Sequence, residues 1–304
     1  MNEFSAALDI PLTGLDAAVW RDRLAGMMRD LGAYRALGNR HFATLIRNGS
    51  TLLVTFETAQ GIRALSHNAQ PFGFEMVKSE GWSHLALISN GDTWFRDPAV
   101  YDYFDELIDE GVFDGFDTVL FYGAGPCGYA AAAFSVAAPG ATVLAIQPQA
   151  TLEARMTEWD PRFVEMRGTS FTDRFGYAPD MIDAAHHAFI LYDPYEDLDA
   201  MHAALFARPN VTRLRMPLMG GALQTQLMTM NILYPLLSLA GAGTLSVESF
   251  ARLYRARRQN VSYLRAVMAR LDKDDRPHLT RALCRNVTSR MNAPRFQRRL
   301  NDLE

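Results

Sequence analysis

The residues best placed to do chemistry lie in one short run, Gly123-Ala124-Gly125-Pro126-Cys127-Gly128, between an apolar stretch at 118–122 and an alanine-rich stretch at 128–137. A tight turn between a strand and a helix serves two chemistries. Glycines let a backbone approach a pyrophosphate lying on a helix N-terminus, and Gly123, Gly125 and Gly128 have the GxGxxG spacing of FAD or NAD binding. A thiol at a helix start becomes a nucleophile when its pKa is lowered there, which makes Cys127 a catalytic candidate with the Gly128 N–H as oxyanion donor. The alternative for Cys127 is a buried structural thiol.

Further candidates stand where strands are expected to end. Asp193 closes the apolar run 188–193, as an acid or as the cap of the next helix. His202 falls inside the helical stretch 198–206, as a base or as a packing residue. Glu57, Asp92, Trp94 and Arg96 follow two other strand ends. They make either a polar, aromatic and basic cleft suited to a small anionic or sugar ligand, or a solvated turn and a capped helix start. His186 and His187 are adjacent and unsuited to sharing a metal, and neither CxxC nor HExxH occurs, so no metal site is expected.

The elements that position these residues follow from pattern. A helix is expected over 15–31. Residues 41–47 and 51–57, joined by Asn48-Gly49, predict a β-hairpin, because Asn-Gly supplies the positive φ angles of a two-residue turn. Strands are expected at 82–89, 118–122, 142–147, 188–193 and 211–216, with helices after Pro98, after the glycine turn and at 198–206. Helices fill everything beyond Gly220-Gly221, beginning with one over 223–239. The alternation predicts a doubly wound, mostly parallel α/β sheet of about seven strands with a C-terminal helical extension. Residues 1–222 are read as one α/β domain with 148–187 as a lid-like insertion, and 223–304 as a helical region packed on it. Ligands of such sheets sit at the carboxyl ends of the strands.

The chain has 304 residues, 49% of them hydrophobic and 21% charged, which describes a globular protein with a sizeable core. Its start is acidic and lacks a signal-peptide pattern. Its most apolar stretch, 227–243, is too short and too interrupted to span a membrane. Two cysteines define no disulfide framework, so the cytoplasm is the expected compartment. The net charge of −4 conceals an asymmetry: residues 244–304 carry 14 Lys/Arg against 6 Asp/Glu, the preceding residues 16 against 28. A basic helical tail docks on an acidic body, binds a protein partner, or contacts nucleic acid; few aromatics and no nucleic-acid motif favour the first two.

The segment YGAGPCGYAAAAFS resembles the nucleophile elbow of bacterial α/β-hydrolase-like proteins (YGSSMGGYAALAFA-like), some of them linked to surface polysaccharide loci, and AIQPQ resembles their SPQ-type strand end. The resemblance spans roughly residues 50–220. It implies an α/β-hydrolase-like fold with the nucleophile position at Gly125, the oxyanion donor at Pro126, the acid at Asp193 and a histidine loop at 217–222. Gly125 has no side chain, Pro126 has no N–H, and Pro217-Leu218-Met219-Gly220-Gly221-Ala222 holds no histidine. The expectation is therefore a pseudoenzyme with a degenerate triad that binds a ligand or partner and needs no cofactor. A hydrolase or acyltransferase using Cys127 is the second reading. The third comes from a likeness of GAGPCGYAAA to the FAD-binding turn of flavoproteins, against which Ile146 and Gln147 stand where a ribose-binding acid is expected. As a whole the chain also resembles sequences named phosphoadenosine phosphosulfate reductase. It lacks their SGGxDS-type loop and CGxH-type cysteine, and Cys284 stands in ALCRNV.

Overall fold

The structure is a computed structural model that describes residues 8–303. Its centre is one eight-stranded sheet: β1 Ala33–Leu37, β2 His41–Ile46, β3 Thr51–Thr58, β4 Ser83–Ser89, β5 Thr118–Ala124, β6 Thr142–Ile146, β7 His187–Tyr192 and β8 Val211–Arg215. The spatial order is β1-β2-β4-β3-β5-β6-β7-β8. Strand β2 runs antiparallel to β1 and β4, and every other pairing is parallel. This is the doubly wound, α/β-hydrolase-like sheet expected from the sequence, with one strand more.

The extra strand is β1, whose residues are mostly exposed and so carry no apolar signature. It forms the real hairpin, with β2, through Gly38 at φ 60°. The hairpin expected across Asn48-Gly49 does not exist, because β4 lies between β2 and β3. Leu52, Leu53 and Val54 are completely buried, and a strand apolar on both faces takes a central place rather than a hairpin edge. Gly49 serves close approach instead of a turn: a Cβ there would stand 2.4 Å from the Gly81 carbonyl oxygen.

Period-two alternation divides the core. Val54, Phe56, Phe121, Val143 and Ile190 face one side, packed under α4 (Pro98–Asp109) and α5 (Pro126–Phe134). Leu53, Leu120, Leu144 and Leu191 face the other, under α9 (Leu223–Thr229) and α10 (Leu233–Gly241). The β2–β4 end is covered by α1 (Ala17–Leu31) through Trp20, Leu24 and Met28. Two short helices not expected from the sequence, α2 (Ala59–Leu65) and α3 (Phe74–Glu80), fill the β3–β4 crossover.

The segment 148–187, with α6 (Ala154–Thr157) and α7 (Ala178–Met181), packs into the body. Met166, Phe171, Phe175 and Ile182 join the first core, and the Tyr129 hydroxyl donates to the Phe175 carbonyl at 2.5 Å. After β7 comes α8 (Asp197–Leu205). The single helix expected over 223–239 is two, separated at Asn231 (φ 55°). Pro235 forbids a continuous helix because it has no N–H for the turn before it, so α10 restarts with the proline in its first turn. Beyond α11 (Val247–Leu253), helices α12 (Val261–Lys273), α13 (Pro277–Thr288) and α14 (Pro294–Asn301) pack on one another around Leu264, Cys284, Val287 and Phe296. No helix among the described residues is long and apolar enough to cross a membrane.

Candidate functional site

Gly125 forms the apex of the turn between β5 and α5, at φ 57° and ψ −125°, a conformation closed to residues with a Cβ except under strain. Its N–H donates to the Ile146 carbonyl at 2.8 Å, and its own carbonyl accepts the Tyr129 N–H at 3.0 Å, so the apex is held from β6 and from α5. A Cβ built on Gly125 would meet nothing within 4 Å. Gly123 and Gly128 face protein: a Cβ there would stand 2.1 Å from the Cys127 carbonyl oxygen and 3.1 Å from that of Ile146. Of the three glycines in the dinucleotide-type spacing, only Gly125 faces open space. Pro126 opens α5 without an N–H to offer.

A cavity of about 220 Å³ lies on one side of the apex, lined among others by Glu57, Phe72, Asp92, Tyr122, Pro126 and Cys127. A second, of about 280 Å³, lies on the other side, lined by Gly125, Gln147, Gln149, Arg162, Asp199 and Gln224 among others. Ala124 and Pro126 border both. Three candidates from distant parts of the sequence, Glu57, Asp92 and Cys127, therefore meet at the first cavity.

Glu57 is not a solvated turn residue. Its carboxylate accepts the Thr55 hydroxyl at 2.6 Å and the Phe72 N–H at 2.9 Å. Burial pushes its pKa up to about 7, against the pull of those two bonds. Behind it, Thr55 Oγ1 lies 2.9 Å from His84 Nε2. Burial pushes the His84 pKa down to about 3, so the ring is neutral, and with the threonine donating to Glu57 the proton sits on Nε2. Tyr122 is 1% exposed and its hydroxyl has no hydrogen-bond partner among the described residues.

Cys127 sits in the first turn of α5, 8% exposed. Burial pushes its thiol far above the usual range, and the carboxyls of Glu57 and Asp92 push it further. These surroundings hold the thiol protonated, opposite to what a nucleophile needs. Among the described residues no histidine lines either cavity. His202 is wholly buried on α8; its Nε2 lies 3.0 Å from Asp160 Oδ2 and its Nδ1 accepts the Ala150 N–H at 3.2 Å. Burial pushes its pKa down despite Asp160.

Asp193 ends β7, 1% exposed, with its carboxylate turned to the loop after β8. It accepts the N–H groups of Tyr195 (2.9 Å), Leu218 (3.1 Å) and Gly220 (2.7 Å). Its carboxylate grips the backbone of the turn after β8. Gln147, with φ 49°, donates to Asp199 at 2.6 Å and accepts the Leu223 N–H at 2.9 Å. Arg162 bridges Asp199 (2.6 Å) and Asp160 (2.7 Å), which links the 148–187 segment to α8.

Trp94 and Arg96 do not line the cleft. Trp94 is fully buried with φ 50°, edge-on to Phe163 at 4.8 Å. The Arg96 side chain is 1% exposed; it pairs with Asp173 and donates to the carbonyls of Ser170 (3.1 Å) and Arg174 (2.5 Å). It is a clamp on the 170–174 chain and leaves the first cavity without a cation. In the basic helical region Arg257 stacks on Tyr254 at 4.3 Å, Arg270 pairs with Asp274 and Arg299 with Asp272. Among the described residues, no three His, Cys, Asp or Glu side chains are grouped to hold a metal ion.

Sequence reasoning missed Thr55, Phe72, Tyr122 and the Gln147–Asp199–Arg162 chain. Only the strand-end positions of Tyr122 and Gln147 gave a signal for them.

No protein-family model matches the sequence, and no curated protein matches it. Among solved structures the chain is similar to EstE1, a thermostable carboxylesterase cloned from a metagenomic library, at 13% identity over 76% of this chain and 97% of that one, with a TM-score of 0.43. It is also similar to an esterase of Pyrobaculum calidifontis, at 15% identity over 78% and 94% with a TM-score of 0.43. A chain of the Gap123 glycosylation associate protein complex of Streptococcus agalactiae matches at 12% identity over 68% and 46%, with a TM-score of 0.42. The fold assignment rests on the strand order above, and similarity at this level carries no activity to this chain.

Proposed function

We propose that this protein is a non-catalytic α/β-hydrolase-like binding protein, with its ligand held in the cleft beside the elbow. The observation that carries this reading is Gly125: the apex keeps the constrained backbone of an elbow while open space stands where a nucleophile would project. Two further features support it. Pro126 offers no oxyanion N–H, and the turn after β8 is held by Asp193 with no base between them. Removal of such groups singly costs orders of magnitude in rate.

The purified chain is tested against short acyl esters and thioesters, and against a fluorophosphonate and a thiol-directed acylating probe. The expected result is no turnover and no stoichiometric label, with thermal stabilisation by ligands that fill the cleft. Turnover abolished by Cys127→Ala would replace this reading with a cysteine hydrolase or acyltransferase.

A further inference from the structure

The cavity beside Glu57 is unbalanced in charge. Two carboxylates, Glu57 and Asp92, line it, and among the described residues no Lys, Arg or His does. Glu57 receives only neutral donors, the Thr55 hydroxyl and the Phe72 N–H. Glu57 is partly buried, and a carboxylate shielded from water without a cation resolves the cost by taking a proton or by meeting a positive charge. The Tyr122 hydroxyl stands in the same wall, almost wholly buried and without a hydrogen-bond partner among the described residues. The remaining wall is mostly apolar, with Phe56, Ile62, Leu65 and Met228, and carries the neutral polar side chains Thr58, Ser66 and Gln224. Among the described residues no three His, Cys, Asp or Glu side chains are grouped to hold a metal ion, and the apolar part of the wall suits an organic cation.

We propose that this cavity binds a small organic ammonium ion with an apolar body, its N–H groups donating to Glu57 and Tyr122 and its body lying against Ile62, Leu65 and Met228. This rests on the reading of the protein as a binding protein and names the ligand class. The groups facing Glu57 are Thr55 with His84 behind it, the Phe72 N–H, Asp92 after β4, Tyr122 on β5, Cys127 on α5 and Tyr234 on α10. None is a cation: His84 is neutral. A bound ammonium favours the ionised carboxyl, so Glu57 releases a proton on binding wherever it is still protonated. Below neutrality the affinity therefore falls as the pH falls, approaching about tenfold per pH unit.

The test is calorimetric titration of the full chain with benzylamine, benzyl alcohol and benzoate, at about pH 6 and about pH 8, in buffers of different ionisation enthalpy. Benzylamine is expected to bind about tenfold or more tightly than the alcohol, with benzoate weakest and with proton release near pH 6. Glu57→Gln keeps the Phe72 contact and is expected to erase both the preference and the proton release. Exposed Asp92→Asn is expected to weaken the amine severalfold without touching the core. Equal binding of amine and alcohol, a preference for benzoate, no binding of any of the three, or an unchanged preference in Glu57→Gln overturns the proposal. Hydrolysis of benzyl acetate followed in the same samples bears on the non-catalytic reading alone, so the two fail separately.

Discussion

The Asp193 carboxylate accepts the Gly220 N–H at 2.7 Å, and this bond joins the end of β7 to the turn after β8. With Leu218 and Tyr195 it makes Asp193 a three-donor acceptor that fixes the turn whose Leu218 has φ 64°. The Asp193 carboxylate is a structural staple. Asp193→Ala leaves three part-buried N–H groups without their acceptor and is expected to destabilise the fold by about 1–3 kcal/mol. Urea unfolding measures this. A loss below about 0.5 kcal/mol would show that the turn holds itself.

Glu57 makes stability depend on pH in a stated direction. Its folded pKa, about 7, lies above the ordinary 4.5, so the folded state binds the extra proton. Its contribution is full below about pH 4.5 and is lost as the pH rises through about 7. The change is of order 1–3 kcal/mol. Glu57→Gln is expected to flatten this part of the profile, read from denaturant midpoints across the window. An unchanged slope in the variant would assign the pH dependence to other groups.

Arg96 holds the 170–174 chain through Asp173 and two carbonyls from a position 1% exposed. Arg96→Ala is expected to cost about 2–3 kcal/mol and to raise amide exchange in 169–177, leaving the cleft intact. Arg96→Lys recovers only part of this, because a point charge cannot serve a carboxylate and two carbonyls in one plane. Equal stability of the lysine variant and the wild type would argue against the planar clamp.

Both cysteines are buried, and burial pushes both thiols up. A thiol reagent is expected to react slowly with the native chain near neutral pH and fully after unfolding. Fast, selective modification of Cys127 in the native state would reveal a thiolate that its carboxylate neighbours disfavour.

The sequence by itself determined what is local or atomic. Glycines between an apolar run and an alanine-rich run dictate a strand, a tight turn and a helix, and neither the side chain that Gly125 lacks nor the N–H that Pro126 lacks can be supplied by folding. Paired apolar runs likewise set the central strands. Tertiary structure decided everything that depends on which surfaces meet. It inserted β4 between β2 and β3, because the doubly buried Leu52–Val54 run needed a neighbour on each side. It turned Trp94 and Arg96 inward to hold the 148–187 segment, where local pattern offered a cleft wall. It brought Glu57, Tyr122 and Cys127 to one cavity from two parallel strands and a helix. Local rules fix backbone conformation, whereas a side chain's neighbours, and hence its charge and its chemistry, come from the register of strands far apart in the chain.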